Sequence, residues 1–226
     1  MKEIRLIEVK ENIMADNAAA AEKLRARLRA ERTFLINVMA SPGAGKTSTI
    51  LKTIEALRDE IRINVIEADI DSLVDSETIT AAGTRAVQLH TGGFCHLDAG
   101  MVEQGLNALD TDELDLVIIE NVGNLVCPAE FDTGAIKNIM ILSVPEGDDK
   151  PLKYPLMFSV CDVLIVNKMD YIGLSDFDLE ALRERVLKLK SDIEIFEISC
   201  KTGKGVDGWA DWLRQQVKTF AQLQTP

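Results

Sequence analysis

From residue 34 onward, short apolar runs alternate with segments whose apolar positions recur every three or four residues. The runs at 34–40, 61–66, 86–89, 114–119, 137–144, 160–166 and 193–198 are apolar almost throughout, as strands buried on both faces are. Helical spacing marks 47–58, 98–109, 178–190 and 206–223 between and after them. This alternation predicts a mostly parallel sheet with helices on both faces, an arrangement whose ligands gather at the carboxyl ends of the strands. Ahead of it, 12–32 is rich in Ala, Glu, Leu and Arg, with small or apolar residues at helical spacing (Ile13, Asn17, Ala20, Leu24, Leu28). The expected division is therefore a helical extension, 1–32, and an α/β domain, 33–226. The polar loop 145–151, punctuated by Pro and Gly, is too short to mark a boundary, and no internal repeat is visible.

Composition narrows the function. With 226 residues, 46% of them hydrophobic, the chain can bury a sizeable single core. A formal net charge of −12 argues against DNA, RNA or anionic lipid as electrostatic partners and leaves cations, proteins and small molecules. The first ten residues carry charges through every apolar stretch, unlike a signal peptide, and no apolar run approaches the roughly 20 residues that span a bilayer. Four dispersed cysteines in such a chain point to a reducing cytoplasm.

Two motifs supply the chemistry of a P-loop G domain. Ala40-Ser41-Pro42-Gly43-Ala44-Gly45-Lys46-Thr47 follows a predicted strand and opens a predicted helix. Gly43 and Gly45 let the N–H groups of the loop, including those of Ala44 and Ser48, turn onto phosphate oxygens. Lys46 supplies a cation to the β- and γ-phosphates, and the Thr47 hydroxyl can ligate Mg²⁺. Ala40 stands where the common form has Gly, a small change at a position with negative φ. Asn167-Lys168-Met169-Asp170 ends the run 160–166. The Asp170 carboxylate can accept both the N1–H and the 2-amino group of guanine, a donor pair that adenine lacks, while the Lys168 stem covers the base. Ser199-Cys200-Lys201, after the last predicted strand, can offer a backbone N–H to the guanine oxygen. For Mg²⁺ and for orienting water, the carboxylate candidates are Asp69 just past the second strand, Asp75 in the loop after it, and Glu120. Glu120-Asn-Val-Gly123 replaces the Asp-x-x-Gly of signalling GTPases and puts Gly123 near the γ-phosphate.

A third group has no use in guanine-nucleotide chemistry. Cys95-His96 precedes the helical pattern at 98–109, where a helix dipole would lower a thiol's pKa, and Cys127-Pro128 follows Glu120 shortly after. Two thiolates and an imidazole suit a soft or borderline metal, and three ligands leave a position open for transfer. A free Cys is also commonly a small buried hydrophobe, so from the residues alone both readings stand open. Cys161 reads as core, Cys200 as part of the base-contacting loop, and His90 as the end of a strand.

Taken together, Ser41-Pro-Gly-Ala-Gly-Lys-Thr47, Thr91-Gly-Gly-Phe-Cys-His-Leu-Asp-Ala99, Ile119-Glu-Asn-Val-Gly-Asn-Leu-Val-Cys-Pro128, Glu146-Gly-Asp-Asp-Lys-Pro151 and Asn167-Lys-Met-Asp170 resemble the HypB family, GTPases that help insert nickel into [NiFe]-hydrogenase. The resemblance runs from the N-terminal helix almost to the C-terminus. It implies a GTP-dependent homodimer that binds Ni²⁺ or Zn²⁺ through Cys95, His96 and Cys127 near the subunit interface. A small zinc-containing partner at the N-terminal region and the precursor of the hydrogenase large subunit follow as implied partners. The Cys-rich N-terminal motif and the His-rich tract of some members have no counterpart here, which argues against nickel storage. Other readings are a maturation GTPase for urease or a cobalamin enzyme, against which Cys95-His96 speaks, and a P-loop small-molecule kinase, which has no use for the Asn167–Asp170 tetrapeptide. A zinc-stapled scaffold without catalysis is the remaining one.

Overall fold

The computed structural model describes residues 9–69, 74–109 and 114–224, with the side chains of 9–13, 69 and 74–77 outside the description. Seven strands form one parallel sheet: β1 Phe34–Ala40, β2 Ile63–Asp69, β3 Ala86–His90, β4 Leu116–Glu120, β5 Lys137–Ser143, β6 Val163–Asn167 and β7 Glu194–Glu197, in the spatial order β3-β2-β4-β1-β5-β6-β7. The helices are α1 Val9–Glu31, α2 Lys46–Leu57, α3 Val74–Ala81, α4 Ala99–Leu109, α5 Cys127–Glu130, α6 Lys150–Lys153, α7 Pro155–Val160, α8 Leu179–Leu189 and α9 Val206–Leu223. Among the described residues no helix is long and apolar enough to cross a membrane.

Strand β1 shows why the strand runs are apolar almost throughout. Its alternate residues Phe34, Ile36, Val38 and Ala40 face a core shared with Ile50 and Ile54 of α2 and Trp209 and Leu213 of α9. Leu35 faces Leu24 and Leu28 of α1 and Val102 and Leu106 of α4 on the other side, and Met39 joins a third cluster with Phe158 of α7 and Leu182 of α8. Both faces being covered, a period of two in polarity has no reason to appear. Trp209 is 2% exposed and satisfies its indole N–H on Thr53 Oγ1 at 2.9 Å, which ties α9 to α2.

Several expected boundaries move. The second strand begins at Ile63 and continues to Asp69, so Asp69 ends the strand instead of following it. The run 160–166 divides: Pro155–Val160 is helical and the strand starts at Val163. Pro155 at the first helical position, with φ preset for a helix, starts this turn. The loop expected at 145–151 begins within a 3-10 turn, Val144–Glu146, and ends in the first half of α6.

Candidate functional site

The phosphate loop joins β1 to α2, with Gly43 at φ +76° and Gly45 at φ +101°, left-handed backbone that favours glycine. No side chain caps α2, so its N-terminal N–H groups face a cavity of about 570 Å³ beside Lys46, Thr47 and Ser48. Such an end is a ready anion site. Thr47 donates its hydroxyl to Glu120 Oε1 at 2.8 Å, at the carboxyl end of β4. Glu120 is in register with Glu67 of β2, and both carboxylates, each 2% exposed, line the same cavity. Thr47, Glu67 and Glu120 thus offer the all-oxygen donor set that suits Mg²⁺. Asp69 stands two residues beyond Glu67, its side chain outside the description. Asp75 lies in α3, not in the expected loop, and its side chain is likewise outside the description. Gly123 packs against the loop, for a Cβ there would lie 3.0 Å from Pro42 Cγ.

A second cavity of about 550 Å³ adjoins the first and is lined by Ser48, Asn167, Lys168, Asp170, Cys200 and Lys201, among others. Asn167, 1% exposed, locks the two loops together: its Nδ2 donates to Ala44 O at 3.1 Å, and its Oδ1 accepts from the N–H of Lys168 at 2.7 Å and of Cys200 at 3.4 Å. Lys168, at φ +59°, donates Nζ to Gly43 O at 2.7 Å, so its stem runs from this second cavity to the phosphate loop. Asp170 Oδ1 accepts from Ser199 Oγ at 2.7 Å, with Lys201 Nζ 3.8 Å from Oδ2. The Ser199 hydrogen bond, helped by the charges of Lys201 and Lys168, holds the Asp170 carboxyl below its ordinary value.

The third group also comes together. Cys95 Sγ and Cys127 Sγ are 2.8 Å apart, and with a ring nitrogen of His96 the ligand atoms lie within 4.8 Å of one another. Cys95 and His96 follow the turn at Gly92 and Gly93 after β3, and Cys127 opens α5. The expected lowering of the Cys95 pKa does not occur. Helix α4 starts only at Ala99, while the hydrogen bond with Cys127 and burial raise the Cys95 thiol above its usual value. The two sulfurs converge at 2.8 Å as paired ligands of one metal would, and a metal ion that binds them must displace their protons. His96 stacks on Phe131 with centroids 3.7 Å apart, and burial lowers its pKa, which favours the neutral imidazole that a metal takes. Its Nδ1 is buried with no hydrogen-bond partner among the described residues. Two sulfurs and one nitrogen fit Ni²⁺ or Zn²⁺. Cys161 is fully buried, donates to Met157 O at 2.9 Å and has its thiol pushed far up by desolvation, as a core residue. Cys200 lines the second cavity and contacts Thr49 Oγ1 at 3.4 Å, and His90 is exposed.

One short segment connects the two sites. It runs from Glu120, bonded to Thr47, through Gly123 on Pro42 and Asn124, whose Nδ2 donates to Cys95 O at 3.3 Å, to Cys127.

Residues 34–197 match the family model for the CobW/HypB/UreG nucleotide-binding domain. The hydrogenase maturation factor HypB of Escherichia coli K12 is 41% identical over 216 residues, covering 96% of this chain and 74% of that protein. This chain belongs to the HypB family. The hydrogenase/urease maturation factor HypB of Helicobacter hepaticus is 39% identical over 214 residues, 93% of this chain and 88% of that one. Among solved structures, HypB from Helicobacter pylori in complex with nickel superposes with a TM-score of 0.85 at 36% identity, covering 90% of this chain and 96% of that one. The seven-stranded parallel sheet is thus the HypB fold.

Against this HypB frame, three residues escaped the sequence reading. Glu67 is a charge between the buried apolar residues Ile66 and Ala68 of β2, and that interruption was its signal. Glu146 accepts from Ser41 Oγ and from Ser143 N–H and Oγ, both at 2.7 Å, and so braces the phosphate loop from the end of β5. Its place in the Glu146–Pro151 motif marked the segment without marking the role. Phe131 left no local signal, because its stacking on His96 is purely tertiary.

Proposed function

We propose that this HypB-family protein is a GTPase that couples GTP binding and hydrolysis to nickel delivery during [NiFe]-hydrogenase maturation. The observation that carries this reading is the segment from Glu120 to Cys127, which touches the phosphate loop at one end and closes the thiol–imidazole cluster at the other. The hydrogenase maturation factors among its relatives and the nickel complex of the H. pylori HypB support it. In this reading Asp170 selects guanine, with Asn167, Lys168, Ser199, Cys200 and Lys201 shaping the base pocket. Gly43, Ala44, Gly45 and Ser48 offer backbone N–H groups to phosphate, Lys46 balances charge on the transferring phosphoryl group, and Gly123 senses the γ-phosphate. Mg²⁺ supplies charge neutralisation when bound; Thr47 and Glu120 would hold it together with Glu67 beside them or Asp69 at the end of the same strand, and Asp69, Asp75 and Glu120 are the candidates for orienting water. Cys95, His96 and Cys127 hold the nickel or zinc cargo. The working form is a cytoplasmic homodimer, with the helical extension 1–32 meeting a small zinc-containing partner and the hydrogenase large-subunit precursor as recipient. Urease is a second client to test, because the H. hepaticus relative is a hydrogenase/urease factor.

The test is nickel titration of the nucleotide-free, GDP-bound and non-hydrolysable-GTP-bound protein, with oligomeric state read in parallel. A coupling typical of linked sites, about 1–3 kcal/mol, would change nickel affinity by about five- to 150-fold between nucleotide states. Equal nickel affinities at matched oligomeric state would defeat the coupling and favour a static zinc scaffold. Equal competition by ATP and GTP would favour the kinase.

A further inference from the structure

Helix α1 presents one face to the body, on which Ala21, Leu24 and Leu28 are buried. One turn before Ala21 on that face the stripe is interrupted by an amide, Asn17. Its Oδ1 accepts the backbone N–H of Ala99 at 3.0 Å, and its Nδ2 donates to the backbone carbonyl of Asp132 at 2.9 Å. Ala99 opens α4 and lies three residues after His96; Asp132 follows Phe131, the ring stacked on His96, and lies five residues after Cys127. One side chain therefore spans the chain segment that carries Cys95 and His96 and the segment that carries Cys127. Its two partners, an N–H and a C=O, also settle the orientation of the amide. Of the short side chains only Asn offers both a donor and an acceptor in this fork.

The rest of the contact reinforces the same grip. Arg25 donates to Ala135 O at 3.1 Å and pairs with Asp132 Oδ1 at 2.5 Å, which also accepts from Gly134 N–H at 2.9 Å. Gly134, at φ +77°, leaves no room for a Cβ, which would stand 2.8 Å from Leu24 Cδ2. The turn after α5 is thus moulded onto α1, while the start of α4 is held by Asn17 and, within its own segment, by Asp98, whose Oδ1 accepts from Met101 N–H at 2.8 Å.

We infer that Asn17 is a positioning residue for the metal cluster: it holds the Cys95–His96 segment and the Cys127 segment at the separation that lets their ligand atoms converge. This rests on the metal reading of Cys95, His96 and Cys127. Residues that orient metal ligands without touching the metal commonly change affinity by about 10–100-fold when altered, and the lower end is expected for a contact made through backbone.

The experiment is nickel titration of the full-length protein followed through the thiolate-to-nickel charge-transfer band, with GDP affinity and thermal melting measured alongside. Asn17→Asp keeps an acceptor for Ala99 N–H at a helix N-terminus, which favours negative charge, but turns a carboxylate oxygen toward the Asp132 carbonyl. Asn17→Ala loses both bonds. Both variants are expected to weaken nickel binding about tenfold and to shift the band, with GDP affinity unchanged and Asn17→Asp melting near the unmodified protein. Arg27→Ala is the control, since Arg27 donates to Asn107 Oδ1 of α4 over 2.6 Å, a contact between the same two helices that involves neither ligand-bearing segment; it should bind nickel normally. Loss of nickel affinity by Arg27→Ala equal to that of Asn17→Ala would overturn the inference in favour of general loosening of α1. Unmoved affinity and band in Asn17→Asp would overturn it as well, and if Cys127→Ala weakens nickel binding in the same series, the metal reading survives. Native nickel binding by Cys127→Ala would sink the metal reading and the inference with it.

Discussion

Gly45→Ala should disable the phosphate loop and the base loop at once. Gly45 sits at φ +101°, and a Cβ there would lie 2.4 Å from Asn167 Nδ2, a distance that no relaxed pair of atoms tolerates. The left-handed backbone alone costs about 1–2 kcal/mol for a residue with a Cβ. Relief of the clash requires the buried Asn167 amide to move, which breaks its bonds to Ala44 O (3.1 Å) and Lys168 N–H (2.7 Å), each contributing about 1 kcal/mol. The combined loss, about 3–4 kcal/mol, is large against the roughly 5–15 kcal/mol stability of a domain, yet leaves most of the population folded. Guanidinium denaturation measures it as a shift in midpoint at constant slope. Titration with a fluorescent GDP should show affinity reduced by on the order of a hundredfold, because phosphate N–H donors and the base loop are displaced together. The pair Gly45→Ala, Asn167→Ala tests the cause: removing the amide removes the clash, so the double variant should lose less than the sum of the singles. A Gly45→Ala protein with unchanged midpoint and GDP affinity within about threefold of the original would refute the argument.

Asp170→Ala should lose most GTP affinity and Asp170→Asn should turn preference toward xanthine nucleotides, in a competition assay that would show equal ATP and GTP binding if the guanine reading were wrong. Lys46→Ala should cut hydrolysis by on the order of a hundredfold or more, and unchanged turnover would remove the phosphate-loop assignment. Because Ser199 lowers the Asp170 carboxyl, the carboxylate form persists as pH falls and is lost only through that lowered value, below the ordinary carboxylate range. Ser199→Ala should therefore move the acid limb of GDP binding upward in pH, and a limb that stays put would disprove the hydrogen bond's role. Cys127→Ala should weaken nickel binding and abolish its dependence on nucleotide with guanine affinity nearly intact, whereas retained coupling in a nickel titration would exclude the Glu120–Cys127 segment as the link.

Much of the fold could be read from residues in order. Parallel strands covered on both faces are apolar at most positions, so β1, β5 and the others stand out as runs, and the phosphate loop depends on consecutive residues whose backbone freedom is visible in Gly43 and Gly45. The same rule blurred the start of 160–166, since Val160, which ends the helical turn Pro155–Val160, and the buried Cys161 after it are as apolar as the strand they precede, and periodicity over so few residues cannot separate them. Residue chemistry also marked Cys95, His96 and Cys127 as metal-competent, but not their environment: the thiol that a helix dipole would have acidified is instead raised by a neighbour thirty-two positions away. Glu67 beside Glu120, Phe131 on His96 and Asn17 between Ala99 and Asp132 all depend on strand register or helix docking across long stretches of chain. Local sequence determines which groups a segment offers, through backbone preference and polarity; which groups meet, and therefore how each one titrates and what it can hold, is decided only when the sheet closes and α1 packs onto it.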